Sequence, residues 1–385
     1  MLCVYPSKEQ TLRRRHTSPH EDRRRWHVVT TLNSPSSNTA TGSDSTSPAV
    51  TLSSHPNLAP HNFAANDLRF LHHFLIVAYP HLPFGSEDLW KTRLPASAHE
   101  CPHLMHAILC LGATHLSLVT PDGGRYTTLA ATHRGKALRM LGDALATGDQ
   151  SGPTELDLML ATAYALTFQA NYMADGLVDF AVMVRGCGII TRQILNKYNG
   201  SEMFKLLKPE AIYTDVVSRI PLTPCADPET LDTPIKTLES IEPLLINTSH
   251  RSAYRTLLST YQGMKRSSLE GFIAFTGFYN SWERMGNQEF MEFLEPTNYI
   301  SRVLFLHYIA ISVMLRPVFH ILRAPRTMVF PKDELPLHQW GAHIYECLPF
   351  SMRGSVDWQA RFIALDKKLL ESGSSNLAIE ELSAR

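Results

Sequence analysis

The chain has 385 residues, 44% of them hydrophobic and 19% charged, with 36 basic and 36 acidic side chains. That length carries one large domain or two smaller ones, and the apolar share is enough for a buried core. The balanced charge excludes a global pull toward nucleic acid or membrane, so any polyanion binding has to come from a local patch.

Residues 1–62 differ from the rest. The triplets Arg13-Arg14-Arg15 and Arg23-Arg24-Arg25 precede a Ser/Thr/Asn/Pro-rich run from Ser34 to His61. Among the first 25 residues, seven basic side chains face three acidic ones. Such a segment buries too little apolar surface to offset its chain entropy, which predicts disorder. Order is expected from about Asn66. Asn66 or Asp67 is placed to cap a helix with Leu68, Leu71, Leu75 and Ala78 on one face, ended by Pro80. A short helix over 87–93 carries Trp90, and Pro95 closes it.

The next helix is the clearest. Pro102 suits its first turn, where a missing N–H costs nothing. Leu104, Ile108, Leu111, His115 and Leu118 share one face, and Thr120-Pro121-Asp122-Gly123-Gly124 is a stop. Helices follow over about 125–147 and 154–172, and Asp175 is placed to cap another reaching Asn196. A looser connector over 197–248 holds Pro221, Pro224, Pro228 and Pro234. Helical patterning resumes over 250–265, 267–285, 287–294, 297–322, 336–348 and 355–371. No alternating strand pattern or internal repeat is visible. The reading is all-α: a single large multi-helix domain over 63–372, after a disordered N-terminal segment and before a tail over 373–385.

The six cysteines, Cys3, Cys101, Cys110, Cys187, Cys225 and Cys347, are too far apart for a CxxC site and read as reduced thiols, buried except for Cys3. No signal peptide is visible. The most apolar stretch, Val303 to Leu322, holds His307, Arg316, Pro317 and His320, which favours a buried core helix over a membrane span.

The common linear signatures of catalysis are missing: no P-loop, no G-x-G-x-x-G, no G-x-S-x-G, no H-E-x-x-H. His103 and His106, three apart, have His99 and His72-His73 nearby, but no acidic or thiol partner falls at ligand spacing. Asp175, Asp179 and Arg185 invite a charged-site reading; a capping role for the two carboxylates is the simpler one. The aromatic set Phe272, Phe275, Phe278, Tyr279 and Trp282 and the set Leu304, Tyr308, Ile311 and Leu315 run at helical spacing. Core packing explains both. As an alternative, Phe275, Trp282, Phe305 and Tyr308 are candidates to line an apolar ligand pocket.

Several stretches carry a resemblance. Asp67-Leu68-Arg69-Phe70-Leu71-His72-His73-Phe74 is followed by Trp90 and Leu94-Pro95, then by the run Pro102 to Leu116, then by His133 with Ala137-Leu138. Further on, Pro296 leads into Leu306-His307-Tyr308, Trp340-Gly341 begins a helix after a loop, and Trp358 comes near the end. This succession resembles the regulatory domain of fungal binuclear zinc-cluster transcription factors, in particular the sterol-uptake-control-like subgroup. It covers roughly residues 65–362, more weakly over 197–260. Members of that family begin with a six-cysteine zinc cluster, and Cys3-Val4-Tyr5-Pro6 resembles its end. Residues 1–7 then read as a cluster remnant and 8–62 as its basic linker.

The resemblance implies a nuclear regulator of RNA polymerase II transcription, not an enzyme, that controls a metabolic gene cluster or sterol and lipid genes. Two zinc ions share six thiolates in such a cluster, so Cys3 alone holds none. No cofactor is expected in this chain, and zinc only with a full cluster upstream. Sequence-specific DNA binding by this chain alone is not expected. The arginine triplets suit nuclear import or nonspecific phosphate contact. Expected partners are the transcription machinery or other regulators, with room left for a hydrophobic ligand and a homodimer. The alternative reading is a ligand-binding or catalytic helical protein of a biosynthetic pathway.

Overall fold

A computed structural model describes residues 64–80, 87–146, 151–198, 200–201, 203–204, 214, 216–224, 226–323 and 335–372. Cys3, Cys225 and the two arginine triplets lie outside the described residues, as do residues 8–62 and the tail over 373–385. Among the described residues every regular element is helical, as the sequence predicts. The α-helices are α1 (Ala65–His73), α2 (Leu94–Ala98), α3 (Pro102–Val119), α4 (Thr127–Ala146), α5 (Pro153–Ala170) and α6 (Leu177–Tyr198). After the connector come α7 (Asp232–Glu239), α8 (Thr248–Arg266), α9 (Ser268–Arg284), α10 (Asn287–Leu294) and α11 (Tyr299–Met314). The last four are α12 (Arg316–Arg323), α13 (Leu335–Cys347), α14 (Phe350–Arg353) and α15 (Asp357–Ser372).

Successive helices pack as hairpins. α3 packs against α1, α4 and α5; α5 pairs with α6; α6 meets α9; α8 and α9 form the most extensive pair. α11 runs through the second half, against α8, α13 and α15. It is buried on every side from Ser301 to Met314. Each large apolar side chain enclosed in this way contributes roughly 1.5–3 kcal/mol. α3 has the length and hydropathy of a membrane span, but 67% of it is buried inside the protein, as in a core helix.

Several boundaries depart from the sequence reading, each for a local reason. α1 starts earlier: Ala64 is the cap, and Asp67, at the third helical position, accepts the Ala64 N–H at 2.9 Å. Its buried face is Asp67 and Phe70, continued by Phe74 and Ala78 in a wide turn over Phe74–Ala78, while Leu68 is 66% exposed. Leu71 and Leu75 are only partly buried. Pro95 does not close its segment. A wide turn over Leu89–Arg93 lets the Leu94 N–H reach back to the Leu89 carbonyl, and helix continues through the proline to Ala98. α6 begins at Leu177, so Asp175 lies ahead of the cap position.

The connector holds helical turns of its own, Pro228–Leu231, α7 and Glu242–Leu244, because its prolines fall in first turns. The predicted single helix over 297–322 is two, bent by 54° around Leu315. Pro317, in the first turn of α12, has no N–H to return to the preceding turn. Trp340 sits inside α13 and does not begin it; its Nε1 donates to the Met173 carbonyl at 2.9 Å.

Candidate functional site

Chemistry-bearing residues first come together in a histidine seam where α1, α3 and α4 meet. Asp67 Oδ1 accepts from His133 Nε2 at 3.1 Å, and the two Nδ1 atoms of His133 and His106 are 3.0 Å apart. A neutral His133 that donates through Nε2 has a bare Nδ1, so His106 carries its proton on Nδ1 and donates. Burial pushes His133 below the usual histidine range, against the opposing pull of Asp67. His73 Nε2 and His115 Nδ1 form a second pair at 2.8 Å. α1 reaches this seam because Gly112 has no side chain: a Cβ there would sit 2.3 Å from the Phe70 carbonyl oxygen.

His103 and His106 do not converge, although they share a helix. His103 bonds Thr162 Oγ1 of α5 at 2.7 Å and lies 3.2 Å from Cys101 Sγ, while His106 turns toward α4. Burial lowers His103 to about 4. Among the described residues no three His, Cys, Asp or Glu side chains converge to hold a metal. The described cysteines do not fit a binuclear cluster. Cys101 is buried just ahead of α3, Cys110 on α3 and Cys187 on α6, and burial pushes the Cys110 thiol up to about 12. Cys347, read as buried, is exposed, because it falls on the outer face of the last turn of α13 beside His343.

The charged trio is divided. Asp179 pairs with Arg134 of α4 at 2.8 Å. Arg134 also donates to Gln169 Oε1 of α5, whose Nε2 donates to Thr114 Oγ1 of α3 at 3.3 Å. One polar chain thus ties α3, α5, α4 and α6. Arg185 points the other way. It donates to the carbonyls of Trp282 at 3.0 Å and Met285 at 2.9 Å, to Asn287 Oδ1 at 2.8 Å, and lies over the Phe290 ring. It therefore caps the end of α9 from α6.

The aromatic residues singled out in the sequence form one buried cluster between α9 and α11. Phe275 and Phe278 stack on Tyr308 with centroids 5.3 and 4.9 Å away, and Trp282 lies 5.9 Å from Phe305. Tyr279 and Tyr308 share a hydroxyl contact at 3.0 Å. The Trp282 N–H is buried with no acceptor among the described residues. Burial raises the Tyr308 phenol to about 12.

Two buried polar nodes lie beyond this cluster, and their pairings were not legible in the sequence. His307 Nδ1 takes contacts from Tyr261 OH at 3.2 Å and Gln359 Nε2 at 3.1 Å, and burial lowers this histidine to about 3. Asp366 binds Arg316 Nη1 at 3.1 Å and His338 Nε2 at 2.7 Å. Burial works against the Asp366 charge, but these two partners outweigh it and hold the carboxyl below its usual range.

The comparisons with known proteins bear on this helical body. The profile described as the fungal specific transcription factor domain matches residues 69–270, just over half of the chain. The chain belongs to this family. The match runs from within α1 to the start of α9 and takes in the four seam histidines, His73, His106, His115 and His133. A stretch of 138 residues is 27% identical to Sterol uptake control protein 2 of Saccharomyces cerevisiae, covering 35% of this chain and 13% of that protein. Over 84 residues it is 32% identical to the Zn(2)-C6 fungal-type transcription factor afumD of Aspergillus fumigatus, 21% of this chain and 22% of the relative. Over 82 residues it is 38% identical to Sterol uptake control protein 2 of Candida albicans, 20% of this chain and 11% of the relative. These matches span less than a quarter of each relative's length.

Proposed function

We propose that this fungal-type chain regulates transcription in the nucleus through its helical domain, and that it is not an enzyme. The match of the fungal specific transcription factor domain over residues 69–270 carries the reading. The seam is consistent with it: among the described residues His103, His106, His133, Asp67, Asp179 and Arg185 are each engaged in contacts between helices. The names of two relatives point to sterol uptake as the controlled programme. Under this reading the aromatic cluster of Phe275, Trp282, Phe305 and Tyr308 is where an apolar effector enters, with the Trp282 N–H as a spare donor. Zinc belongs to the reading only through a cluster completed by cysteines other than those described.

The test joins the full chain to a heterologous DNA-binding domain and measures a reporter with and without added sterol. A change in reporter output at equal protein level is expected, and it disappears when Trp282→Ala or Gly112→Val disrupts the domain. Reporter output indistinguishable from that of the DNA-binding domain alone sinks the reading. Replacing Arg13, Arg14, Arg15, Arg23, Arg24 and Arg25 by glutamine should shift a fluorescent fusion out of the nucleus.

A further inference from the structure

One face of α8 is not accounted for by packing. Thr248, Arg251, Ser252, Arg255 and Thr256 line a surface depression of about 350 Å³. α9 comes up against this face at Thr256, whose Cγ2 lies 3.5 Å from where a Cβ on Gly277 would be. Arg251 and Arg255 are exposed and one helical turn apart, and their guanidinium groups have no partner among the described residues. Like charges at this spacing disfavour a helix. Elsewhere the same spacing is used in the opposite sense: Arg266 pairs with Glu270, Arg361 with Asp357 and Lys91 with Glu87.

The hydroxyls complete the lining. Thr256 donates to the Ser252 carbonyl at 3.0 Å, as Thr260 does to the Thr256 carbonyl at 2.8 Å. Thr248 donates to Glu289 Oε1 at 3.1 Å, which places a carboxylate beside the Thr248 end of the lining. Two guanidinium forks and the Ser252 hydroxyl are left as donors facing a concave surface.

We propose that this depression binds the phosphoryl group of a small phosphorylated metabolite. A phosphate monoester carries roughly 1.5–2 negative charges near neutral pH, which matches two guanidinium groups. Planar guanidinium forks bind phosphate oxygens bidentately, and a hydroxyl between them supplies a third donor. The volume exceeds that of a bare phosphate and falls at the small end of ligand pockets, so the ester carries an organic group. The Glu289 carboxylate beside Thr248 disfavours an extended polyanion running along the surface. The site is distinct from the aromatic cluster and independent of whether an apolar effector binds there.

The experiment is calorimetric titration of the full chain with inorganic phosphate, with glycerol phosphate and with citrate. Saturable binding of glycerol phosphate is expected, with inorganic phosphate weaker and citrate weakest. The double variant R251Q/R255Q should lose affinity about tenfold or more, with an unchanged helical circular dichroism spectrum. A chain carrying glutamine at Arg13, Arg14, Arg15, Arg23, Arg24 and Arg25 should bind as the parent does. Full affinity in R251Q/R255Q, loss of binding in the N-terminal glutamine chain, or preference for citrate over both phosphates each overturns the proposal. None of these outcomes depends on the transcriptional reading, whose own test reads a reporter.

Discussion

The two halves of the helical body are held by different chemistry. Between α1 and α6 the helices meet through named polar pairs: Asp67 with His133, His133 with His106, His73 with His115, and the chain from Thr114 through Gln169 and Arg134 to Asp179. Between α9 and α11 they meet through rings, with Phe275, Phe278, Trp282, Phe305 and Tyr308 in mutual contact. Rings supply burial and tolerate small shifts. A buried hydrogen bond is directional, and an unmade one is costly, so the polar half fixes which helix faces which. All of that half but its first few residues falls within the family match, which continues through α7 and α8 and ends as α9 begins.

The comparison can be tested by substitution, beginning with the rings. Trp282→Ala removes the largest side chain of the aromatic cluster and should cost about 3–5 kcal/mol of unfolding free energy in a denaturant titration. A cost near 1 kcal/mol would mean that the rings are loosely packed and that the contrast fails. Gly112→Ala should come next, at about 1–3 kcal/mol, because its Cβ falls on the Phe70 carbonyl and α1 must shift. Hydrogen exchange should then show α1 opening before α3.

Acid tests both halves together. Burial holds His103 at about 4 and His307 at about 3, below the unfolded value of about 6.5. The unfolded chain therefore binds protons first as pH falls. Stability from each neutral histidine is fully present above about pH 6.5 and is lost as pH falls toward the folded value, by about 2 kcal/mol each at pH 5. A melting temperature unchanged between pH 7 and pH 5 would contradict this. His103→Gln should flatten part of the slope.

Within the seam, Asp67→Asn and His106→Gln should each cost about 1–2 kcal/mol, and the double variant less than their sum, because both act through His133. Strict additivity would show that the relay is only a contact. Asp179→Asn should have the smallest effect, about 0.5 kcal/mol, since this carboxylate is 44% exposed.

The apolar periodicity marked most helices to within a few residues. α3, α8, α9 and α10 were legible because Pro102, the apolar spacing and the glycine stops are local signals. Boundaries slipped where a backbone adjustment absorbed a proline, at Pro95, or where a proline broke a continuous apolar run, at Pro317. The stripe chosen for α1 slipped for a related reason: Phe70 and Phe74, not Leu68, face α3, because Gly112 opens the space opposite them.

The sequence by itself determined the helices, the aromatic composition of α9 and α11, and the ordered motifs that mark the fungal regulatory domain. It determined these because spacing along a helix is set by a fixed turn. Only the tertiary structure decided the partners of the polar residues. Asp67 and His133 are 66 positions apart, His103 and Thr162 are 59, and Arg185 reaches carbonyls 97 and 100 positions away. No local rule links residues at such separations. They meet because hairpins of different length bring their helices side by side, and once buried each polar group has to find a partner there.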